Sequence, residues 1–255
     1  MTVVDTHCHA GLHKYEPIES LLFHMERAGV DKAVLIQHMG NYDNAYHADC
    51  LERYPERFAS AMLVDEEDDG THMRRWAALG LSGIRLRPGA RARTADRLVQ
   101  WRTAAELDLV VSSLCNPTEL LGDEFAEVLA TFPDLQIVIE HLGGIGRGAQ
   151  PPYAEFKQLL KLAERPNLYI KLPGFGEFCD PPHPFSSIPP LAQMAIEAFG
   201  PKRVMWGSDF PPVSSREGYD NALSFPMEHL ADLSLEEREW IFGRTALKVW
   251  KLEAA

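Results

Sequence analysis

Two histidines one residue apart, His7 and His9, lie in the opening stretch Val4-Asp5-Thr6-His7-Cys8-His9. Side chains of an extended chain alternate between faces, so these imidazoles share one side, roughly 6 to 7 Å apart at their backbones. Such a pair can converge on one metal ion or one carbonyl oxygen. A third imidazole, His141, precedes a glycine turn in Glu140-His141-Leu142-Gly143-Gly144. An acid, Asp209, ends Val204-Met205-Trp206-Gly207-Ser208-Asp209, and Pro211 and Pro212 follow it. A carboxylate brought against two imidazoles could serve as general base, hydrogen-bond acceptor or third metal ligand. Taken alone, His7 and His9 read equally as core-adjacent histidines with no ligand; the contexts of His141 and Asp209 count against that.

Residues so far apart need a fold that gathers strand ends. Apolar runs near Thr2 to His7, Ala33 to Gln37, Phe58 to Val64, Gly83 to Arg87, Leu109 to Leu114, Gln136 to His141, Leu168 to Leu172 and Arg203 to Ser208 read as strands. Helical spacing fills the gaps at Ile18 to Ala28, Ala45 to Tyr54, Thr71 to Leu79, Ala95 to Leu107, Glu119 to Thr131, Tyr153 to Ala163, Leu191 to Phe199 and Leu235 to Trp250. Runs such as Ile137-Val138-Ile139 are apolar on both faces, as parallel strands covered by helices should be. The alternation predicts a (β/α)8 barrel of TIM type, one domain over residues 1–255. A doubly wound open sheet would want a glycine-rich phosphate loop after its first strand, and this chain has none there.

Composition narrows the function classes. A formal charge of -12 disfavours nucleic acid and anionic membranes as partners. With no apolar run near the roughly 20 residues that span a bilayer and no signal-like start, a cytoplasmic location is expected. The four cysteines, Cys8, Cys50, Cys115 and Cys179, are scattered without metal-binding spacing and read as buried thiols. The sequence leaves oligomeric state open, and a homo-oligomer is compatible with it.

In a (β/α)8 barrel the chemistry stands at the C-terminal ends of strands, where His9, Arg87, His141, Lys171 and Asp209 fall. Strict alternation on the first strand turns Asp5, His7 and His9 inward and leaves Val4, Thr6 and Cys8 to the helices. On the fourth strand it turns Arg85 and Arg87 inward, and on the seventh Tyr169 and Lys171. Inward guanidinium groups need either an internal carboxylate such as Asp5 or an anionic ligand. Arg85, Arg87 and Lys171 are therefore candidates to hold a substrate anion, with Gln37, His38 and Asn116 at strand ends as further binding candidates. The long segment Gly174 to Pro190 suits a substrate wall or a packed surface loop.

The order of Asp5-Thr6-His7-Cys8-His9, Gly83-Ile84-Arg85, Glu140-His141-Leu142-Gly143, Asn167-Leu168-Tyr169-Ile170-Lys171-Leu172 and Trp206-Gly207-Ser208-Asp209 resembles the amidohydrolase superfamily. The nearer likeness is to amidohydrolase family 2, which holds sugar-lactone and pyrone-dicarboxylate lactonases and metal-dependent aromatic-acid decarboxylases. The resemblance implies that His7 and His9 are the first-strand pair, His141 the sixth-strand histidine, and Asp209 the acid that handles the water proton. The same four would ligate a metal if one is bound. Members with two metals use a carboxylated lysine from the middle of the barrel, whereas the fourth strand here offers arginines. One-metal decarboxylases carry a fifth-strand histidine, where this chain reads Ser112-Ser113-Leu114-Cys115-Asn116. Both departures move the likeness toward the lactonases, some of which work without metal.

The expected reaction is hydrolysis of a small, carboxylate-bearing lactone or similar cyclic ester. Asp209 activates water while His7, His9 and His141 polarise the carbonyl, directly or through one Zn²⁺. Three alternatives stand beside it: a metal-dependent decarboxylase of an aromatic or unsaturated acid, a cyclic amide or imide hydrolase, and a non-catalytic barrel that binds a small acid.

Overall fold

A computed structural model describes residues 1–253, so the last two positions of the expected 1–255 domain lie outside it. Eight parallel strands join in chain order into one barrel sheet: β1 (Val4–Cys8), β2 (Lys32–Ile36), β3 (Phe58–Met62), β4 (Gly83–Leu86), β5 (Val110–Ser113), β6 (Ile137–Ile139), β7 (Leu168–Pro173) and β8 (Val204–Gly207). Every strand residue is buried, because the barrel packs on one face and helices cover the other. The expected (β/α)8 barrel is therefore the observed fold.

The helix Ile18–Ala28 shows how local sequence sets the outer layer. Ile18, Leu21 and Met25 recur at helical spacing and are all buried, each worth about 1.5–3 kcal/mol relative to exposure. Gly29 then stops the helix in the left-handed conformation with φ 71°. Elsewhere the long helices expected from the sequence are interrupted. The Glu119 to Thr131 stretch is split into Pro117–Leu120 and Asp123–Thr131, and Leu235 to Trp250 contains a wider turn at Trp240–Arg244. The helix Tyr219–His229, which carries Pro226 inside it, was not expected from the sequence. Among the described residues, no helix is long and apolar enough to cross a membrane.

Inside the barrel, Val4, Val34, Ile36, Ala59, Ala61, Val110, Val138, Tyr169 and Met205 form one cluster with Ala246, Val249 and Trp250 from the C-terminal helix. Trp250 is 1% exposed and plugs the interior. A Cβ on Gly83 would come within 2.6 Å of the Trp250 ring, which explains a glycine at the start of β4.

Strict alternation fails on β1. Its pairing with β2 shifts register between Asp5 and Cys8, so Val4 lies in the barrel interior rather than against helices. The expectation that Asp5 shares the inward face of His7 and His9 is corrected accordingly. Asp5 instead accepts hydrogen bonds from the backbone N–H of Ser208 at 2.8 Å and of His7 at 3.1 Å. Thr6 Oγ1 likewise donates to the Trp206 carbonyl at 2.7 Å. Backbone bonds complete the seam between β1 and β8, from Asp209 N to His7 O and from His9 N to Phe210 O, both 2.8 Å. A Cβ on Gly207 would sit 2.8 Å from His7 Cβ, so that glycine lets the two strands approach where His7 and Asp209 meet.

Candidate active site

The seam brings His7, His9, His141 and Asp209 together at the C-terminal ends of β1, β6 and β8. His9 Nε2 lies 3.4 Å and His7 Nε2 3.8 Å from Asp209 Oδ1. The His7 ring stands 5.0 Å from that of His9 and 4.3 Å from that of His141, centroid to centroid. Two strained turns set this geometry. Asp209 takes φ 61°, and the turn after β6 runs through His141 at φ 46° and Leu142 at φ 52° into positive-φ glycines. At Gly143 a Cβ would come 2.2 Å from Leu159 Cδ1, so only glycine fits that buried left-handed position.

Electrostatics separate the roles of these groups. Burial, with the Lys171 ammonium next, pushes the His7 imidazole well below the ordinary histidine range. Burial also lowers His141, against the opposing pull of Asp209. At Asp209 burial works upward, but His9, His141 and Arg216 together outweigh it and leave the carboxyl below its usual range. Asp209 is thus an anion beside the neutral imidazoles of His7 and His141. Its other oxygen, Oδ2, accepts from both terminal nitrogens of Arg216 at 3.1 Å. Arg216 also donates to Glu177 Oε2 at 2.7 Å, tying the segment after β7 to the acid of β8.

Beneath the imidazoles lies a buried charge network. Glu140 accepts from Arg85 Nε at 3.1 Å and Nη2 at 2.6 Å, and from Ser112 Oγ at 2.7 Å. Lys171 Nζ lies 2.9 Å from Ser112 Oγ and 3.2 Å from His7 Nδ1. Burial alone would raise Glu140, yet Arg85 and Lys171 hold it down at about 2. Lys171 is in turn brought down to about 8 by burial, against the pull of Glu140.

These contacts place the residues expected to hold a substrate anion. Arg85 and Lys171 are 6% and 1% exposed; Arg85 pairs with Glu140, and Lys171 reaches it through Ser112. The internal partner of Arg85 is Glu140, from β6, and not Asp5. Arg87 reaches outward and is held by Glu119 through two 2.8 Å bonds. Asn116 is exposed and caps the helix Pro117–Leu120 by accepting from Glu119 N at 3.0 Å. Gln37 is buried and engaged with the Asp43 carbonyl and the His38 N–H. His38 stands 5.5 Å from the Tyr15 ring, which itself stacks on His9 at 4.7 Å.

Glu140, Ser112, Tyr15 and Arg216 were not singled out from the sequence. Glu140 and Ser112 had a usable signal, since they follow inward Val138 and Val110 by two residues. Arg216 and Tyr15 lie in loops without periodicity, which leaves no such signal.

The donor set suits one divalent cation. One ligand atom from each of His7, His9 and Asp209 lies within 4.8 Å of the others, a nitrogen and oxygen set that zinc accepts. His7 Nε2 is buried without a hydrogen-bond partner, and His9 Nδ1 is tied to the Ile36 carbonyl at 2.6 Å, as the second nitrogen of a ligating imidazole usually is. A second group, His7, Glu140 and His141, is as compact, but its carboxylate is already committed to Arg85.

The family model described as Amidohydrolase matches residues 4–252. The chain belongs to the amidohydrolase family. Among curated relatives it is similar to 4-sulfomuconolactone hydrolase from Rhizobium radiobacter, with 27% identity over 76% of this chain and 66% of that one. The match thus spans just under two thirds of that relative's length. Among solved structures the fold resembles an amidohydrolase from Burkholderia multivorans with bound zinc, with TM-score 0.78, 21% identity and coverage of 99% of this chain and 100% of that one. It also resembles a protein named "probable 2-pyrone-4,6-dicarboxylic acid hydrolase" from Acinetobacter baumannii, solved with citric acid bound, with TM-score 0.79, 20% identity and coverage of 98% and 100%. At these identities the structural likeness speaks for the fold alone.

Proposed function

We propose that this protein hydrolyses a small, negatively charged lactone or a similar activated cyclic ester. The observation that carries the reading is the Asp209 carboxylate, clamped through Oδ2 by Arg216 and aimed through Oδ1 at the His7 and His9 imidazoles. A base held in one orientation beside polar imidazoles suits attack of water on a carbonyl. The curated relative named for a lactone substrate favours a cyclic ester over other acyl compounds.

In this reading water attacks the ring carbonyl carbon as Asp209 Oδ1 takes its proton. Charge then develops on the carbonyl oxygen, which imidazole N–H groups stabilise. The ring C–O bond breaks, and the leaving alkoxide recovers the proton from Asp209 to give a hydroxy acid. A divalent cation bound by His7, His9 and Asp209 would supply Lewis acidity for the carbonyl and a more acidic water. A cavity of about 940 Å³ borders Arg85 and is walled by Tyr42, Leu63, Val64, Arg87 and Arg97, but not by His7, His9, His141 or Asp209. A second cavity, of about 880 Å³, opens among Val30, Lys32, Arg57 and Lys251 at the other end of the strands, away from this chemistry.

The test is a panel of lactones with and without a carboxylate, assayed before and after chelation. Turnover of an anionic lactone is expected. Asp209→Asn should then lose about 10²- to 10⁴-fold in rate with the fold intact. An Asp209→Asn protein with full turnover would refute the assignment of the base.

A further inference from the structure

We propose that Lys171 is a positioning residue that holds His7 as the neutral imidazole with its proton on Nε2, so that His7 faces the reacting carbonyl as a hydrogen-bond donor. The inference rests on reading the site as a hydrolytic centre. Its basis is a buried hydrogen-bond chain whose directions follow from a Glu140 carboxylate at one end and a Lys171 ammonium beside His7.

The chain starts at Glu140, whose ionised carboxylate only accepts. Ser112 lies 2.7 Å from Glu140 Oε1 and gives it its single hydroxyl proton. The lone pairs of Ser112 then receive Lys171, 2.9 Å away. An ammonium has three donors and no acceptor, so its contact with His7 Nδ1 at 3.2 Å also runs outward from Lys171. Nδ1 therefore accepts. In a neutral ring the proton must then sit on Nε2, the atom that points 3.8 Å from Asp209 Oδ1 and has no partner of its own.

The neighbouring histidine has the opposite polarity. His9 Nδ1 lies 2.6 Å from the Ile36 carbonyl, which can only accept, so Nδ1 carries a proton there. The two rings are thus anchored with opposite polarity at Nδ1: His7 accepts there and His9 donates. A carboxylate behind an imidazole makes it a base, as in serine hydrolase triads; a cation behind it makes the far N–H a stronger donor to a developing oxyanion. Lys171 acts through His7 and touches no substrate. A metal at His7 would compete with that proton for Nε2, so Lys171 lowers the cation affinity of the site without removing it.

The experiment uses full-length, chelated protein labelled with [¹⁵N]histidine, with His7 assigned by its loss in His7→Gln. Long-range proton–nitrogen spectra separate a protonated from an unprotonated ring nitrogen. The expected result is protonated Nε2 and unprotonated Nδ1 at His7, with protonated Nδ1 at His9. In Lys171→Met the His7 pattern should shift toward protonated Nδ1. Zinc affinity by calorimetric titration should rise about tenfold or more, within the range by which outer partners tune metal sites. On an accepted lactone kcat should fall with KM little changed, because the donor matters only as charge develops. Protonated Nδ1 at His7 in the wild-type protein overturns the proposal, whether or not the variant folds. So does an unchanged tautomer and zinc affinity in a folded Lys171→Met. The spectra need no turnover: a protein inert on every lactone but showing this His7 tautomer would refute the hydrolytic reading and leave the role of Lys171 standing.

Discussion

Replacing Glu140 by glutamine should strip the barrel of the carboxylate that balances Arg85 and Lys171 while barely changing shape. Glu140 is 1% exposed and accepts from Arg85 through two bonds and from Ser112 through one. Its carboxyl falls from an ordinary 4.5 to about 2, with burial opposed by Arg85 and Lys171. At about 1.4 kcal/mol per pH unit, that drop corresponds to about 3 kcal/mol of net stabilisation in the ionised form. Breaking a buried pair from one side costs about 3–5 kcal/mol by mutational experience, so the two routes agree. Because the folded value is the lower one, this stability is present above pH 4.5 and lost as pH falls toward 2. Equilibrium urea unfolding of metal-free protein at pH 7 should show Glu140→Gln less stable by about 3 kcal/mol with the denaturant slope unchanged. The double variant Arg85→Met/Glu140→Gln should recover part of the loss, since the uncompensated guanidinium is gone. A loss under about 1 kcal/mol, typical of an exposed pair, would refute the argument that this network anchors the site.

Other predictions rest on separate contacts. Arg216→Met should lower kcat and move the acid limb of the rate profile to higher pH. Asp209, which burial raises and His9, His141 and Arg216 bring below its ordinary range, loses one of those partners and ionises later; an unmoved limb would count against the clamp. His47 is buried between Ser60 Oγ and the Ala10 carbonyl, and burial lowers it from 6.5 to about 4. Between those values the unfolded chain binds a proton that the folded one does not, so stability should fall by up to about 3 kcal/mol as pH drops from 6.5 to 4. His47→Gln should flatten that slope, read by denaturant titrations across the window. Gly83→Ala should destabilise by about 1–3 kcal/mol, because the added methyl meets Trp250; a thermal midpoint equal to wild type would show that Trp250 yields without cost.

Much of the architecture is legible without coordinates. Apolar runs such as Ile137-Val138-Ile139 and the helical spacing of Ile18, Leu21 and Met25 are local patterns, and local patterns specify element type. Strand ends are equally local. His9, His141 and Asp209 could be placed at the same end of a parallel barrel because each closes an apolar run. Element boundaries were less legible: Gly122 breaks the expected Glu119 to Thr131 helix as a breaker should, whereas packing tolerates Pro226 inside Tyr219–His229.

What only the tertiary structure decided is which charge meets which. Arg85 faces inward as alternation requires, but its partner is Glu140 rather than Asp5, because a partner depends on the stagger between distant strands. Val4 and Asp5 exchange faces because β1 shifts register where it must close against β8. Arg87 and Asn116 both turn to Glu119, on a short helix whose position no periodicity reveals. Arg216 reaches Asp209 from a loop. The sequence by itself thus determined that eight strands would gather three imidazoles and an acid at one end. The polarity of that centre, with Lys171 behind His7 and Arg216 behind Asp209, is set by contacts across the closed barrel, where burial makes each unpaired charge too costly to leave unmatched.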